Sequence, residues 1–460
     1  MKRAFLLCFS SLAMMLAVKP LHAAPPATDH HVILISVDGL AHYYFEDPKA
    51  KMPTIRKLAA EGVRAKRMKS SLPTVTWPNH TTLVTGVQPG KHGVIGNGIF
   101  DRATQQSVSY LPDPVFDKDE IVKVPTVYDV AHASGLKTAG VIWPASRNAK
   151  SLDWTVPDVG TNELFQKYGT PSLLEECRAA GIPIEKQEEW CKAGTLGKPQ
   201  RDYMYSQIAQ HIIKTHKPNL LMLHLVSVDA MEHATGSKSA EAYWAINDSD
   251  NRVRDLVEAV EEAGLKDKTT FVVTSDHGFI TYTKMIQPNV LLKQMGLIKA
   301  FGNKPTQRAV WSYSQGVAYI YVLDDANRQN LLETITPKLA AMEGVEEVIT
   351  EKDFAKYGMI TRDKDSRAPD LILSAKDGYY FSDNVGGEEL IAQTEGPKGA
   401  HGYSPANPLM DASFVASGAG IKKGVTLDTM GNVDVAPTIA KLLGVEMKDV
   451  DGRVLTEILK

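Results

Sequence analysis

The chain has 460 residues, a formal net charge of −3 and 43% hydrophobic residues. That is an ordinary globular composition with ample material for a large core, and its length allows two or three domains. The near-neutral charge speaks against a nucleic-acid-binding surface, which is usually strongly basic.

At the N-terminus, Lys2 and Arg3 precede an apolar run from Ala4 to Val18, and small residues Ala23 and Ala24 precede Pro25-Pro26. This pattern predicts a cleaved signal peptide over 1–23. The run is short for a membrane span. Cys8 lies inside it rather than at its end, which disfavours lipoprotein cleavage. No later stretch reaches transmembrane length, so the mature protein is expected to be periplasmic or secreted, with no span after cleavage.

His31 to Val37 is a continuous apolar run ending at Asp38-Gly39. Such runs are buried parallel strands, and the carboxyl ends of such strands are where open α/β sheets bind ligands. Pro53 opens a short helix that Gly62 ends. The stretch Ser71 to Gly86 then delivers Thr76 to the start of a helix, with Pro78 in its first turn and Gly86 at its exit. A hydroxyl there sits beside unpaired backbone N–H groups and the positive end of the helix dipole, where a phosphate is held. A threonine hydroxyl is a poor nucleophile unless a base or metal ionises it. The plainer reading is an ordinary N-cap.

Pro125–Ser134 reads as a helix and Leu136–Trp143 as a strand. Residues 150–200 lose the pattern and read as an insertion or surface excursion. They hold Cys177 and Cys191, for which an oxidising compartment predicts a disulfide. Next come a helix over Tyr203–Lys214, a strand over Pro218–Val226 ending at Asp229, a long helix over Ser239–Ala263 and a strand over Thr269–Thr274 ending at Asp276-His277-Gly278. Strand–helix alternation of this kind predicts an α/β fold with a doubly wound, mostly parallel sheet. Between 284 and 395 the rhythm changes to a smaller α+β subdomain, inserted into a catalytic domain of residues 27–283 and 396–460. The chain returns with Gly399-Ala-His401-Gly402 and closes with a core helix over Asp434–Leu443.

Four segments therefore end in oxygen or imidazole ligands: Asp38, Asp229 with His233, Asp276 with His277, and His401. Asp and neutral His suit Zn²⁺ or a similar divalent ion. Asp229 and His233 are four apart, so one helical turn puts both on one side. Asp276 and His277 would face opposite ways in a regular strand, so both reach one ion only if the chain leaves the strand there, which Gly278 permits. Three Asp, three His and one hydroxyl fit two metal sites. His224 reads as core, and His30, His31, His80 and His92 are not assigned as ligands.

Asp38-Gly39, Pro73-Thr-Val-Thr76-Trp-Pro-Asn-His80, Leu83-Val-Thr-Gly86, His92-Gly93-Val-Ile-Gly-Asn97, Trp143-Pro144, Asp229-x-x-x-His233, Ser275-Asp-His-Gly278 and His401-Gly-Tyr403 occur in this order. Together they resemble the nucleotide pyrophosphatase/phosphodiesterase family of the alkaline phosphatase superfamily, over nearly the whole mature chain. The resemblance implies a two-zinc phosphoryl-transfer enzyme with a threonine nucleophile. Asp38, Thr76, Asp276 and His277 would surround one zinc, and Asp229, His233 and His401 the other. Asn97 and the Trp77 backbone N–H would bind the phosphoryl oxygen, and the Trp77 ring would wall the site. The family more often has Phe at that position and Gly where Glu232 stands. Arg147, after Trp143-Pro144, is a cation that a phosphomonoesterase would use.

These features predict an exported phosphodiesterase/nucleotide pyrophosphatase that takes small phosphodiester or nucleotide substrates through a phospho-threonine intermediate. The rivals are a phosphomonoesterase or phosphonate hydrolase with the same metals, and a silent binding or scaffold protein of the same fold. The complete ligand set with Thr76 argues against the silent protein.

Overall fold

The computed structural model describes residues 29–112 and 115–460; the signal peptide expected over 1–23 lies outside the described residues. The apolar runs assemble into an eight-stranded sheet. Its strands in chain order are β1 (His31–Val37), β2 (Val63–Lys69), β3 (Thr138–Val141), β4 (Trp154–Val156), β5 (Leu220–Leu225), β6 (Thr269–Thr274), β7 (Ala412–Gly418) and β8 (Val425–Gly431). In space they run β8-β2-β7-β6-β1-β5-β3-β4. β1 pairs in parallel with β5 and β6, while β7 runs antiparallel to β2 and β6. The expected mostly parallel, doubly wound α/β fold is what forms.

β1 shows why its sequence lacks alternation. Val32 and Leu34 enter a core with Leu83, Val84 and Ile439 on one face. Ile33, Ile35 and Val37 enter another with Ile208, Ile212 and Val253 on the other face. With both faces covered, every position favours an apolar side chain.

Four helices carry some of the clustered polar side chains: α1 (Thr76–Thr85), α2 (Pro171–Ala179), α3 (Lys198–His216) and α4 (Ser227–Thr235). Thr76 is the first residue of α1; Val75, in extended backbone, takes the cap position. Gly86, at φ +68°, ends the helix by donating its N–H to the Thr82 carbonyl, a geometry that favours glycine.

Two expectations for residues 150–200 need correction. The segment adds β4 to the sheet edge, followed by α2 and the short helices Asn162–Tyr168 and Gln187–Lys192. A three-residue strand and helices of six to nine residues are too short to show a period. The expected disulfide does not form: Cys177 and Cys191 are both free thiols. Cys177 faces the core beside Leu173 and Leu174, and burial pushes its thiol up to about 12. The Cys191 Sγ instead accepts from Gln187 Nε2 at 3.5 Å.

Beyond β6, the strand Ile280–Ile286 pairs with Tyr379–Phe381 and Ile391–Ala400. A separate four-stranded antiparallel sheet contains Val310–Gln315, Val317–Val322, Leu371–Ala375 and Val345–Thr350. Its Tyr319 hydroxyl donates to the Ile95 carbonyl at 2.6 Å, tying this sheet to the segment after α1. The strand Ile391–Ala400 delivers His401 back to the carboxyl ends of β1 and β6. Among the described residues, no helix is long and apolar enough to cross a membrane.

Candidate active site

Asp38 follows β1 directly, and its N–H donates to the Leu225 carbonyl at 2.9 Å. The chain then turns at Gly39, φ +74°, whose N–H donates to Asp276 Oδ1 at 3.2 Å. Asp276 and His277 lie just past β6, where the backbone has left the strand. Gly278 serves there through close approach rather than an unusual φ: a Cβ would stand 2.0 Å from the Leu409 carbonyl oxygen. The released backbone lets both side chains reach one cluster. His277 Nε2 lies 3.0 Å from Asp276 Oδ2 and 3.4 Å from Asp38 Oδ1.

The second cluster is built on α4. Asp229 and His233, one turn apart, bring Oδ2 and Nε2 to 3.3 Å. His401 Nε2 lies 3.4 Å from the same Asp229 oxygen and 3.1 Å from His233 Nε2. The clusters meet where the His277 and His401 rings stack, with centroids 3.6 Å apart.

Both clusters have the chemistry of metal ligands. The Nδ1 atoms of His233, His277 and His401 face the carbonyls of Gly399, Gly278 and Thr74, at 2.9, 3.2 and 3.0 Å. Donation there leaves each Nε2 with its lone pair toward the cluster. Asp38 Oδ1, Asp229 Oδ2, Asp276 Oδ2 and His277 Nε2 are buried without a hydrogen bond, an arrangement that costs about 1–3 kcal/mol per group unless something satisfies it. Burial, then the Asp276 carboxylate, pushes Asp38 well above the usual carboxylate range. Burial drives His401 well down, toward the neutral form that binds metal. Burial opposes charge on Asp229 too, but His233 holds it below the usual range. A divalent cation in a cluster would satisfy the orphaned atoms and balance the carboxylates, so both donor sets fit the binding of such an ion.

Thr76 is 6% exposed at the head of α1. The chain on either side of it touches both clusters. His401 Nδ1 meets the Thr74 carbonyl, and His80 Nδ1 lies 2.8 Å from the Thr76 carbonyl and 3.5 Å from Asp276 Oδ2. The Trp77 N–H, expected to bind the phosphoryl oxygen, instead donates to Asn97 Oδ1 at 2.8 Å, the amide expected to bind that oxygen beside it. The Trp77 ring differs from expectation. It is 0% exposed and packs on Tyr110 at 5.3 Å, within a cluster that includes Val94, Ile121 and Ala145. A ring so enclosed has no open face for a base.

Several supporting residues went unassigned in the sequence. Asn79 knots the approach to Thr76, accepting from the Ser71 N–H and donating to the carbonyls of Pro73 and Val75. His224 Nε2 lies 2.9 Å from Asp38 Oδ2, which turns the other oxygen toward the first cluster. A histidine within an otherwise apolar buried strand was the available signal, because buried polar groups need partners. Glu232 turns away from the ligands beside it; its Oε1 accepts from the Tyr44 hydroxyl, and burial pushes its carboxyl well up. Arg147 is buried with its Nε 3.0 Å from Asp117 Oδ1 and its guanidinium over the Tyr168 ring.

Asp202 holds the entry to α4 by accepting from the N–H groups of Val226 and Ser227, both at 2.9 Å. Burial pushes its carboxyl up to about 6, against an ordinary value of 3.8. The folded state therefore binds a proton that the unfolded state has lost between these values. That contribution is present below the unfolded value and is lost as pH rises through the folded one. It amounts to about 3 kcal/mol. Asp202→Asn keeps an oxygen for the N–H groups and cannot titrate. Melting temperatures across this window should show a wild-type loss of stability with rising pH that the variant lacks; equal slopes would contradict it.

A family profile described as "Type I phosphodiesterase / nucleotide pyrophosphatase" matches residues 32–404. Ectonucleotide pyrophosphatase/phosphodiesterase family member 1 of Homo sapiens is 25% identical over 414 residues, 89% of this chain and 40% of that protein. Family member 7 of Mus musculus is 23% identical over 447 residues, 96% of this chain and 90% of that one. The chain thus spans less than half of the first relative, and 25% of family member 3 of Mus musculus, but most of member 7. The solved structure of murine ectonucleotide pyrophosphatase / phosphodiesterase 5 superposes with a TM-score of 0.70 at 19% identity, covering 94% of this chain and all of that one. An inactive variant of that murine protein, solved in complex with AMP, superposes equally well.

Proposed function

The chain belongs to the type I phosphodiesterase / nucleotide pyrophosphatase family, and from that premise we propose that it is an exported, two-metal phosphodiesterase and nucleotide pyrophosphatase with Thr76 as nucleophile. The observation that carries this reading is the pair of donor clusters, with orphaned ligand atoms, flanking the segment that ends in Thr76. Asp38, Thr76, Asp276 and His277 would hold one divalent ion, and Asp229, His233 and His401 the other. Zinc suits these N/O donors. The bound ions would lower the pKa of the Thr76 hydroxyl and offset charge on the phosphoryl and leaving oxygens.

The residues then divide the work. Thr76 Oγ1 attacks phosphorus in line with the leaving oxygen. The Thr–O–P bond forms as the bond to the leaving group breaks, and the other substituent of the diester stays on phosphorus. Water cleaves this threonyl ester in a second displacement and returns the hydroxyl. The Trp77 N–H orients the Asn97 amide, whose NH₂ is suited to donate to the phosphoryl oxygen. Residues 284–395 serve as an inserted subdomain that returns His401 to the site. The expected signal peptide places the mature enzyme in the periplasm or outside the cell.

His224→Leu should weaken metal binding about 10–100-fold, the usual cost of losing such a support, because Asp38 Oδ2 loses its partner. A zinc titration checks this, and unchanged affinity would contradict it.

A diester carries one negative charge, whereas a monoester carries nearly two at neutral pH. A monoesterase would add fixed cations to match. The Arg147 charge is instead matched by Asp117, which supports the diesterase. The AMP complex of the murine relative's variant supports nucleotide substrates. The enclosed Trp77 ring lends no stacking argument, so the preference rests on charge. Comparing kcat/KM for a nitrophenyl nucleotide diester, nitrophenyl phosphate and a nitrophenyl phosphonate tests it. The diester should lead by at least about tenfold, or 1.4 kcal/mol; a monoester lead would install the monoesterase.

A further inference from the structure

Away from both clusters, α2 and α3 bring together Glu176, His211 and His216. His211 Nε2 and His216 Nε2 lie 2.9 and 2.7 Å from the same oxygen, Glu176 Oε2. Helical spacing alone does not arrange this. Residues five apart on a helix point well away from each other. The pair converges where α3 ends: His216 is its last residue, and Lys217 follows at φ +49°. The Trp154 ring of β4 stacks on His216, centroids 4.3 Å apart and 18° from parallel, which holds the imidazole in place. The three side chains are 31%, 19% and 17% exposed in chain order, so an ion and its water can reach them.

We propose that Glu176, His211 and His216 form a third transition-metal site, separate from the two clusters at Thr76. Two imidazole nitrogens and one carboxylate oxygen suit Zn²⁺, Cu²⁺ or Ni²⁺ and not Ca²⁺, which takes six to eight oxygens. Three protein donors leave open coordination for water. The negative end of the α3 dipole adds to the attraction for a cation. Because its ligands come from α2 and α3, a bound ion ties the short helix α2 to the longer α3. The plainer alternative is a carboxylate shared by two imidazoles, with protons only.

The test is zinc content by elemental analysis of the full-length protein after loading and desalting, for wild type, His211→Gln/His216→Gln and Glu176→Gln. The double variant should hold one zinc fewer per chain than wild type, and Glu176→Gln should bind that ion at least tenfold more weakly. Diester turnover should stay within about twofold in both. The difference between proteins is read independently of how many ions the Thr76 site holds. With the Thr76 clusters filled by zinc beforehand, copper added to wild type should give an electron paramagnetic resonance signal split by two nitrogens that the double variant lacks. Zinc should raise the wild-type melting temperature more than the variants', and calcium should raise them alike. Equal zinc content in wild type and Glu176→Gln, with no copper signal lost in the double variant, overturns the site. If the double variant does not fold, Glu176→Gln alone decides through its zinc affinity.

Discussion

Thr76→Ala is expected to lower turnover of a chromogenic diester by about three or more orders of magnitude, the scale on which losing a nucleophile is felt. The fold should survive, because α1 begins on backbone geometry. Val75 holds the cap position without a side-chain bond, and Asn79 secures the preceding loop through backbone groups. Metal content should also stay near wild type, since six proposed side-chain ligands remain: Asp38, Asp229, His233, Asp276, His277 and His401. Thr76→Ser, which keeps the hydroxyl, should retain measurable turnover. Near wild-type rates in Thr76→Ala would mean that water attacks phosphorus directly.

Stripping the protein of divalent ions should remove both activity and part of the stability. The four orphaned donor atoms are buried, so the metal-free site leaves carboxylate oxygens without partners. An ion present at a thousand times its dissociation constant stabilises the native state by about 4 kcal/mol. Chelation should therefore lower the melting temperature by several degrees and abolish turnover, and added zinc should restore both. Asp276→Ala and Asp229→Ala should each lose an ion from a different cluster, which elemental analysis can count. A metal-free protein that keeps its rate and melting temperature would contradict the two-ion reading.

The proposed catalytic framework was legible because its residues sit at punctuation in the sequence. Asp38, Asp229 and Asp276 each follow an apolar run that could only be a buried strand, and each run became β1, β5 or β6. The i, i+4 spacing of Asp229 and His233 held on α4, and Gly278 marked where the strand had to end. What stayed hidden depends on contacts distant in the chain. The Asp38 support comes from His224, 186 residues away. The enclosure of the Trp77 ring depends on Tyr110, 33 residues further along the chain. The cysteines misled because compartment and spacing say nothing of direction. Cys177 turns into the core with its helix, while Cys191 bonds locally. Asp202 escaped notice because its partners, the N–H groups of Val226 and Ser227, carry no side-chain signature.

The stereochemical course at phosphorus tests Thr76 catalysis most directly. A phosphorothioate diester of known configuration, hydrolysed in isotopically labelled water, yields a product whose configuration reports the number of displacements. Each in-line displacement inverts phosphorus, so attack by Thr76 followed by attack by water should give net retention. Net inversion would show a single displacement by water and contradict the threonyl intermediate.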